Sequence, residues 1–174
     1  MIGQKAPSFD LPSFADSQIT TTSLNSIKED YVIIVFYPHD FTFVCPTEIM
    51  GFSMSEEEIK ELNSTVLFVS VDSVFVHKAW MNVHTADGGI QGNVFPMLAD
   101  VTRNMSREYK MLNEEAGVNY RGTVILDKER KIRYYAIYDN LVGRSVQETL
   151  RIVRNLKKMD DDKNVNFCPC EIKS

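Results

Sequence analysis

Two stretches of the chain are apolar at nearly every position rather than at alternate ones. Tyr31-Val32-Ile33-Ile34-Val35-Phe36-Tyr37 ends at Pro38, and Val66-Leu67-Phe68-Val69-Ser70-Val71-Asp72 repeats the pattern. Unbroken runs of β-branched and aromatic residues at this length read as strands buried on both faces, because a half-exposed strand would alternate. Between them lies a helical stretch in which Ser55, followed three residues later by Glu58, forms a capping-box signature leading into Ile59 and Leu62. Strand, helix and strand joined over about 30 residues make a βαβ unit, whose strands pair in parallel through a right-handed crossover.

Further along, Val74 to Thr85 is helix-compatible, and Gly88-Gly89 with Gly92 breaks the chain before Val94-Phe95-Pro96-Met97-Leu98. Arg103 to Leu112 reads as a short helix. Gly122 to Asp127 and Ile132 to Tyr138 read as strands of an antiparallel hairpin, turned at Lys128-Glu129-Arg130-Lys131. A second capping box, Ser145 with Glu148, opens a helix whose Val146, Leu150, Val153 and Leu156 share one face. The charged stretch from Lys157 to Lys163 reads as solvated. The expected class is α/β, a central mixed β-sheet flanked by helices, with one domain over residues 1–160 and a mobile tail over 161–174.

Composition removes several other classes. With 174 residues, 8 glycines and 6 prolines, the chain is one ordinary domain and neither collagen-like nor linker-rich. No apolar run approaches the roughly 20 residues that span a bilayer, so no membrane partner is expected. A net charge of −5 argues against nucleic acid, since counterion release needs clustered Lys and Arg. The start Met1-Ile2-Gly3-Gln4-Lys5-Ala6-Pro7 lacks a basic region followed by an apolar core, which points to a cytoplasmic protein. The 3 cysteines do not make a disulfide framework: Cys45 stands alone, and Cys168 and Cys170 lie near the end. In a reducing compartment such thiols are either buried filler or chemistry.

The segment Pro38-His39-Asp40-Phe41-Thr42-Phe43-Val44-Cys45-Pro46-Thr47-Glu48 follows the first buried strand, at the strand ends where α/β sheets bind ligands. Proline is favoured at the first helical position, so Pro46 places Cys45 at the N-cap of a helix. There the positive end of the helix favours a thiolate at neutral pH, more so with an arginine nearby. Thr42 lies three residues earlier, with a hydroxyl able to orient an incoming oxygen substrate. The plainer reading makes Cys45 a small buried hydrophobe and Thr42 a turn residue.

The motif Pro-x-x-x-Thr-x-x-Cys, within Phe36-Tyr37-Pro38 to Glu48, resembles the active-site loop of the typical two-cysteine peroxiredoxins. The similarity extends to Ile2-Gly3, Ala6-Pro7, Val69-Ser70-Val71-Asp72-Ser73, Tyr120-Arg121-Gly122, Val142-Gly143-Arg144-Ser145-Val146 and Glu148-Thr149-Leu150. It implies a thioredoxin-like fold with an N-terminal extension and a thiol-dependent peroxidase acting on hydrogen peroxide and organic hydroperoxides. Cys45 then resembles the peroxidatic cysteine, with Pro38 shielding the sulfur, Thr42 bonding the peroxide oxygens and Arg121 stabilising the charge. Arg144 resembles a second arginine paired with Glu48. Cys168, in Phe167-Cys168-Pro169, resembles the resolving cysteine, with Cys170 in reserve. The resemblance further implies a head-to-tail homodimer with intersubunit disulfides, assembly up to a decamer, and thioredoxin as the recycling dithiol. No cofactor or metal is called for.

Rival readings start from the same residues. Cys168-Pro169-Cys170 with His39, His77 or His84 makes a poor zinc site, since the cysteine spacing is short and no second pair exists. The histidines read as ordinary helix or loop residues, and Trp80, Tyr134, Tyr135 and Tyr138 as packing or an oligomer edge. A holdase chaperone or peroxide-sensing interaction protein on the same fold is the alternative function. The chain departs from the resembled family in three places. His39 stands at a usually apolar position, Gly88-Gly89-Ile90-Gln91-Gly92 replaces a Gly-Gly-Leu-Gly element, and the C-terminal helix ending in Tyr-Phe has no counterpart. The third leads us to expect rapid disulfide formation and resistance to conversion of Cys45 to sulfinic acid. On non-reducing gels, Cys168→Ser is expected to lose the disulfide-linked dimer and Cys170→Ser to keep it.

Overall fold

Apolar side chains on both faces of a strand require cover on both sides, and the two long runs obtain it by pairing at the centre of a sheet. The structure, a computed structural model, describes residues 1–162 and 164. Cys168, Cys170 and nearly all of the expected tail lie outside the described residues. In chain order, β1 (Asp10–Ala15) and β2 (Gln18–Ser23) precede β3 (Tyr31–Phe36), α1 (Cys45–Ser53), α2 (Glu56–Glu61) and β4 (Ser64–Ser70). Then come α3 (Val74–Met81), β5 (Met97–Ala99), α4 (Asn104–Glu108), β6 (Leu112–Asn113) and β7 (Val118–Asn119). The last elements are β8 (Arg121–Leu126), β9 (Ile132–Tyr138) and α5 (Val146–Asp161).

The main sheet runs β2-β1-β5-β4-β3-β8-β9. Strands β3, β4 and β5 are parallel and the remaining neighbours antiparallel, as the mixed-sheet expectation requires. Along β3 the faces divide by parity. Ile33 and Val35 join Ile49, Phe52, Ile59, Trp80, Leu150 and Val153 in one core, while Val32, Ile34 and Phe36 join Met105, Tyr109 and Val124 in the other. Residues 32–36 are each 0% exposed, and burying a side chain of that size contributes roughly 1.5–3 kcal/mol. Helices α1, α2 and α5 therefore cover one face and α4 the other.

Several elements differ in detail from their sequence patterns. The helical stretch after β3 is two helices, and Ser55 does not close a capping box: its hydroxyl donates to the Gly51 carbonyl at 3.1 Å, one turn back. Ser145 does accept the Glu148 amide at 3.1 Å, but the Glu148 carboxylate turns to Arg151 instead of reaching back. The charged stretch after Leu156 stays helical to Asp161, where Tyr31 donates to Asp160 at 2.7 Å and Arg133 approaches it at 3.2 Å. Helix α3 ends at Met81 rather than Thr85, and residues 85–87 form a separate 3₁₀ turn.

The segment Arg103 to Leu112 is helical only over Asn104–Glu108, because the buried Asp100 carboxylate takes the Met105 and Ser106 amides and Lys110 turns left-handed. Leu112–Asn113 then pairs with Val118–Asn119 in a short ribbon that no apolar pattern marks.

After the 3₁₀ turn the chain doubles back so closely that a Cβ on Gly89 would lie 2.0 Å from the Val83 carbonyl oxygen. Backbone cannot yield as a side-chain tip can. Gly89→Ala is expected to cost about 1–3 kcal/mol of stability, read as a lower urea midpoint at unchanged slope.

Candidate active site

The loop from Tyr37 to Val44 carries the chain from the end of β3 into α1. It contains one strained residue, Phe41, whose φ of 56° is left-handed for a non-glycine, and that turn sets its ring 5.8 Å from Trp80. Cys45 is the first residue of α1 and Val44 the cap, one position from the expected N-cap, with Pro46 inside the first turn. The side chain of Cys45 is completely buried.

Three other buried residues form a cluster that reaches it through Arg121. Arg121, the first residue of β8, donates from Nη1 to Cys45 Sγ at 3.3 Å and to Glu48 Oε2 at 2.6 Å. Arg144, just before α5, donates from its backbone amide (2.6 Å) and Nε (3.0 Å) to Glu48 Oε1, and from Nη2 to Oε2 at 2.8 Å. Its Nη1 binds the carbonyls of Phe36 (2.7 Å) and Gly122 (2.6 Å), a paired set of residues on β3 and β8. Glu48 lies one turn after Cys45, so helical spacing brings both onto the same side of α1.

Asn140 completes the cluster. Its carbonyl accepts Arg121 Nε at 3.1 Å and Nη2 at 2.8 Å, and its side-chain oxygen accepts the Arg121 amide at 2.9 Å. A single asparagine in a loop carries no spacing or motif, so sequence reasoning had no route to it.

Of the seven residues singled out from the sequence, the structure thus joins Cys45, Glu48, Arg121 and Arg144 by direct contact. Pro38 and Thr42 share the loop, both half-buried, and the Thr42 hydroxyl donates to the His39 carbonyl at 3.2 Å. Cys168 lies outside the described residues. The histidines of the zinc alternative are spoken for: His77 sits between Asp40 and the Leu98 carbonyl, and His84 accepts the Ala86 amide. Among the described residues no group of three or more His, Cys, Asp and Glu gathers where a metal ion would fit. No helix of the described residues is long and apolar enough to cross a membrane.

The electrostatics follow from counting charges. Glu48 supplies one negative charge against the two guanidiniums, which leaves one positive charge in the cluster beside the sulfur. Burial works to raise the Glu48 carboxyl, but the hydrogen bonds and charge of Arg144, with the charge of Arg121, hold it below the ordinary glutamate value. Burial likewise opposes the Arg121 charge, and the Cys45 sulfur and the Glu48 carboxylate beside it overcome burial and raise that group. A carboxylate depressed in the folded state stabilises it above the unfolded value, near 4.5, and the contribution is lost as pH falls through the folded value. Glu48→Gln is expected to cost about 3–5 kcal/mol at pH 7 in denaturant titrations. The gap from wild type should close below pH 4.5, and a gap that stays constant with pH would mean that the ion pairs contribute nothing.

Comparison with known proteins agrees with this arrangement. Residues 2–135 match the AhpC/TSA family. Over 168 residues the chain is 44% identical to peroxiredoxin prdx-2 of Caenorhabditis elegans, covering 97% of this chain and 83% of that one. Its fold superposes on the reduced 2-Cys peroxiredoxin of Plasmodium vivax with a TM-score of 0.93 at 32% identity, covering 99% of this chain and 89% of that one. Against AhpC of Enterococcus faecalis the TM-score is 0.88 at 34% identity, with 97% and 98% covered. The match spans most of the chain and takes in the loop, α1 and the first residue of β8, so this chain belongs to the AhpC/TSA family, among the peroxiredoxins.

Proposed function

We propose that the protein reduces hydrogen peroxide and organic hydroperoxides by nucleophilic attack from Cys45. The observation that carries this reading is the 3.3 Å contact from Arg121 to the sulfur, inside a buried cluster with one unbalanced positive charge. A thiolate supplies the missing negative charge. It attacks the terminal oxygen of the hydroperoxide, the O–O bond breaks, and the electron pair leaves with the alkoxide or hydroxide, which takes up a proton. The sulfur becomes a sulfenic acid. Arg121 presents fixed N–H donors to the charge moving from sulfur to oxygen and needs no reorganisation to do so. Thr42 orients the peroxide oxygens, Pro38 shields the sulfur, and Glu48 with Arg144 holds the Arg121 fork in place.

In the second step the Cys168 thiol condenses with the sulfenic acid, releasing water and forming a disulfide. An external dithiol, which we take to be thioredoxin, then reduces that disulfide and is itself oxidised. Two features of the structure support self-association. Among the described residues β9 is a free sheet edge with Ile137 exposed and Leu141 and Val142 exposed just beyond it, and Phe41, Phe43 and Phe75 are exposed around the Cys45 loop. We take the assembly to be a homodimer able to build a decamer, in the cytoplasm. The same exposed apolar residues favour a second reading, a holdase chaperone, which needs no turnover.

Peroxide consumption coupled to thioredoxin separates the two. Cys45→Ser is expected to reduce the rate to background, and Arg121→Lys, which keeps the charge and loses the fork, to lower it about a hundredfold. An unchanged rate in Cys45→Ser would leave only the chaperone reading.

A further inference from the structure

Beneath the Cys45 loop lies a chain of polar groups that the chemistry at sulfur does not use. Tyr37 donates its hydroxyl to Asp40 Oδ1 at 2.6 Å, and Asp40 Oδ2 faces His77 Nδ1 at 2.7 Å. The other ring nitrogen of His77 lies 3.1 Å from the Leu98 carbonyl, which can only accept, so Nε2 carries a proton. The contact between Nδ1 and Oδ2 pins Asp40 to α3.

Asp72, in the connection from β4 to α3, grips the loop at a second point. Its Oδ2 accepts the Asp40 amide at 2.9 Å and the Ser70 hydroxyl at 2.7 Å. Its Oδ1 faces Nδ1 of His39 at 3.5 Å, with His39 49% exposed and Asp72 17%. His39 is therefore open to solvent protons while it touches the carboxylate that holds the loop down. Asp40, Tyr37 and His77, the other titratable groups in the network, face one another rather than His39. The His39 carbonyl also receives the Thr42 hydroxyl, so a shift at residue 39 is passed toward Cys45.

We propose that Asp72 is a positioning residue for the Cys45 loop and that His39 makes its hold depend on pH. Histidine changes charge between pH 5 and 8, and at the acid end an imidazolium pairs with Asp72 and keeps the loop shut. At the alkaline end the neutral ring releases it. The step affected is disulfide formation, because the Cys45 sulfur is wholly buried and cannot meet a second thiol until the loop opens. The proposal rests on Cys45 being the attacking thiol. Acid conditions then leave the sulfenic acid folded in for longer, and alkaline conditions hasten its resolution.

The chain has one tryptophan, and Trp80 packs against Phe41 of the loop, so its emission reports opening. The experiment follows Trp80 emission by stopped flow after adding hydrogen peroxide, at pH 5.5 and pH 8, in wild type, His39→Leu, His39→Lys and Asp72→Asn. The phase that tracks disulfide formation is expected to slow on acidification about two- to fivefold more in wild type than in His39→Leu, the range open to a partly exposed ion pair. Asp72→Asn keeps an oxygen for the Asp40 amide but loses the charge, and should match His39→Leu. His39→Lys, charged throughout, should be slow at both pH values. Identical profiles in wild type and His39→Leu would overturn the proposal. If peroxide produced no disulfide in any variant, the catalytic reading would fail instead. Acrylamide quenching of Trp80 in the reduced proteins would still test the latch, through stronger quenching at pH 8 than at pH 5.5 in wild type and not in His39→Leu. Equal quenching at both pH values in wild type would refute it.

Discussion

One buried carboxylate shared between two buried guanidiniums sets the terms for this end of the molecule. Charges removed from water are costly unless every donor and acceptor is matched, and Glu48 meets the condition with four hydrogen bonds from Arg144 and Arg121. The match requires the first turn of α1, the first residue of β8 and the loop before α5 to arrive together. Arg144 also bonds the Phe36 and Gly122 carbonyls, so the end of the sheet and the cysteine's surroundings are one hydrogen-bonded object. Displacing either arginine would leave a charge stranded in the interior. This explains why the sulfur can rest beside a cation whose position solvent does not blur.

Much of the scaffold was legible because burial writes itself into composition. β3 and β4 are apolar on both faces for the reason that helices cover both, and the hairpin of β8 and β9 follows from its charged turn. The helix face of α5 is read from Leu150 and Val153, both fully buried. At the site the legible members were those held in a long contiguous motif or in short motifs that resemble a family. Cys45, Glu48, Arg121 and Arg144 meet in the fold, although residue spacing alone would never have joined a helix start to a strand start 76 residues away.

What escaped the sequence has physical causes of its own. The β1–β2 hairpin turns at Asp16 and Ser17, both left-handed, without the glycine that usually marks such a turn, and β2 is almost wholly exposed, so neither turn nor strand shows a pattern. Asn140 acts largely through its backbone carbonyl, a group every residue has. Ser55 met a competitor, the Gly51 carbonyl, that capping-box logic ignores. The Asp100 carboxylate ends a strand and starts a helix at once, so the boundary of α4 depends on a side chain outside both patterns.

Cys45 begins its helix directly before Pro46, and the residue preceding a proline is crowded out of helical backbone angles by the ring. The fold therefore keeps this cysteine in a conformation that its neighbour in sequence disfavours, and the contact with Arg121 helps to hold it there. Proline brings no amide to the first turn, so its place there costs the helix no hydrogen bond. The start of α1 thus sets a local backbone preference against the packing and the Arg121 contact that bury Cys45.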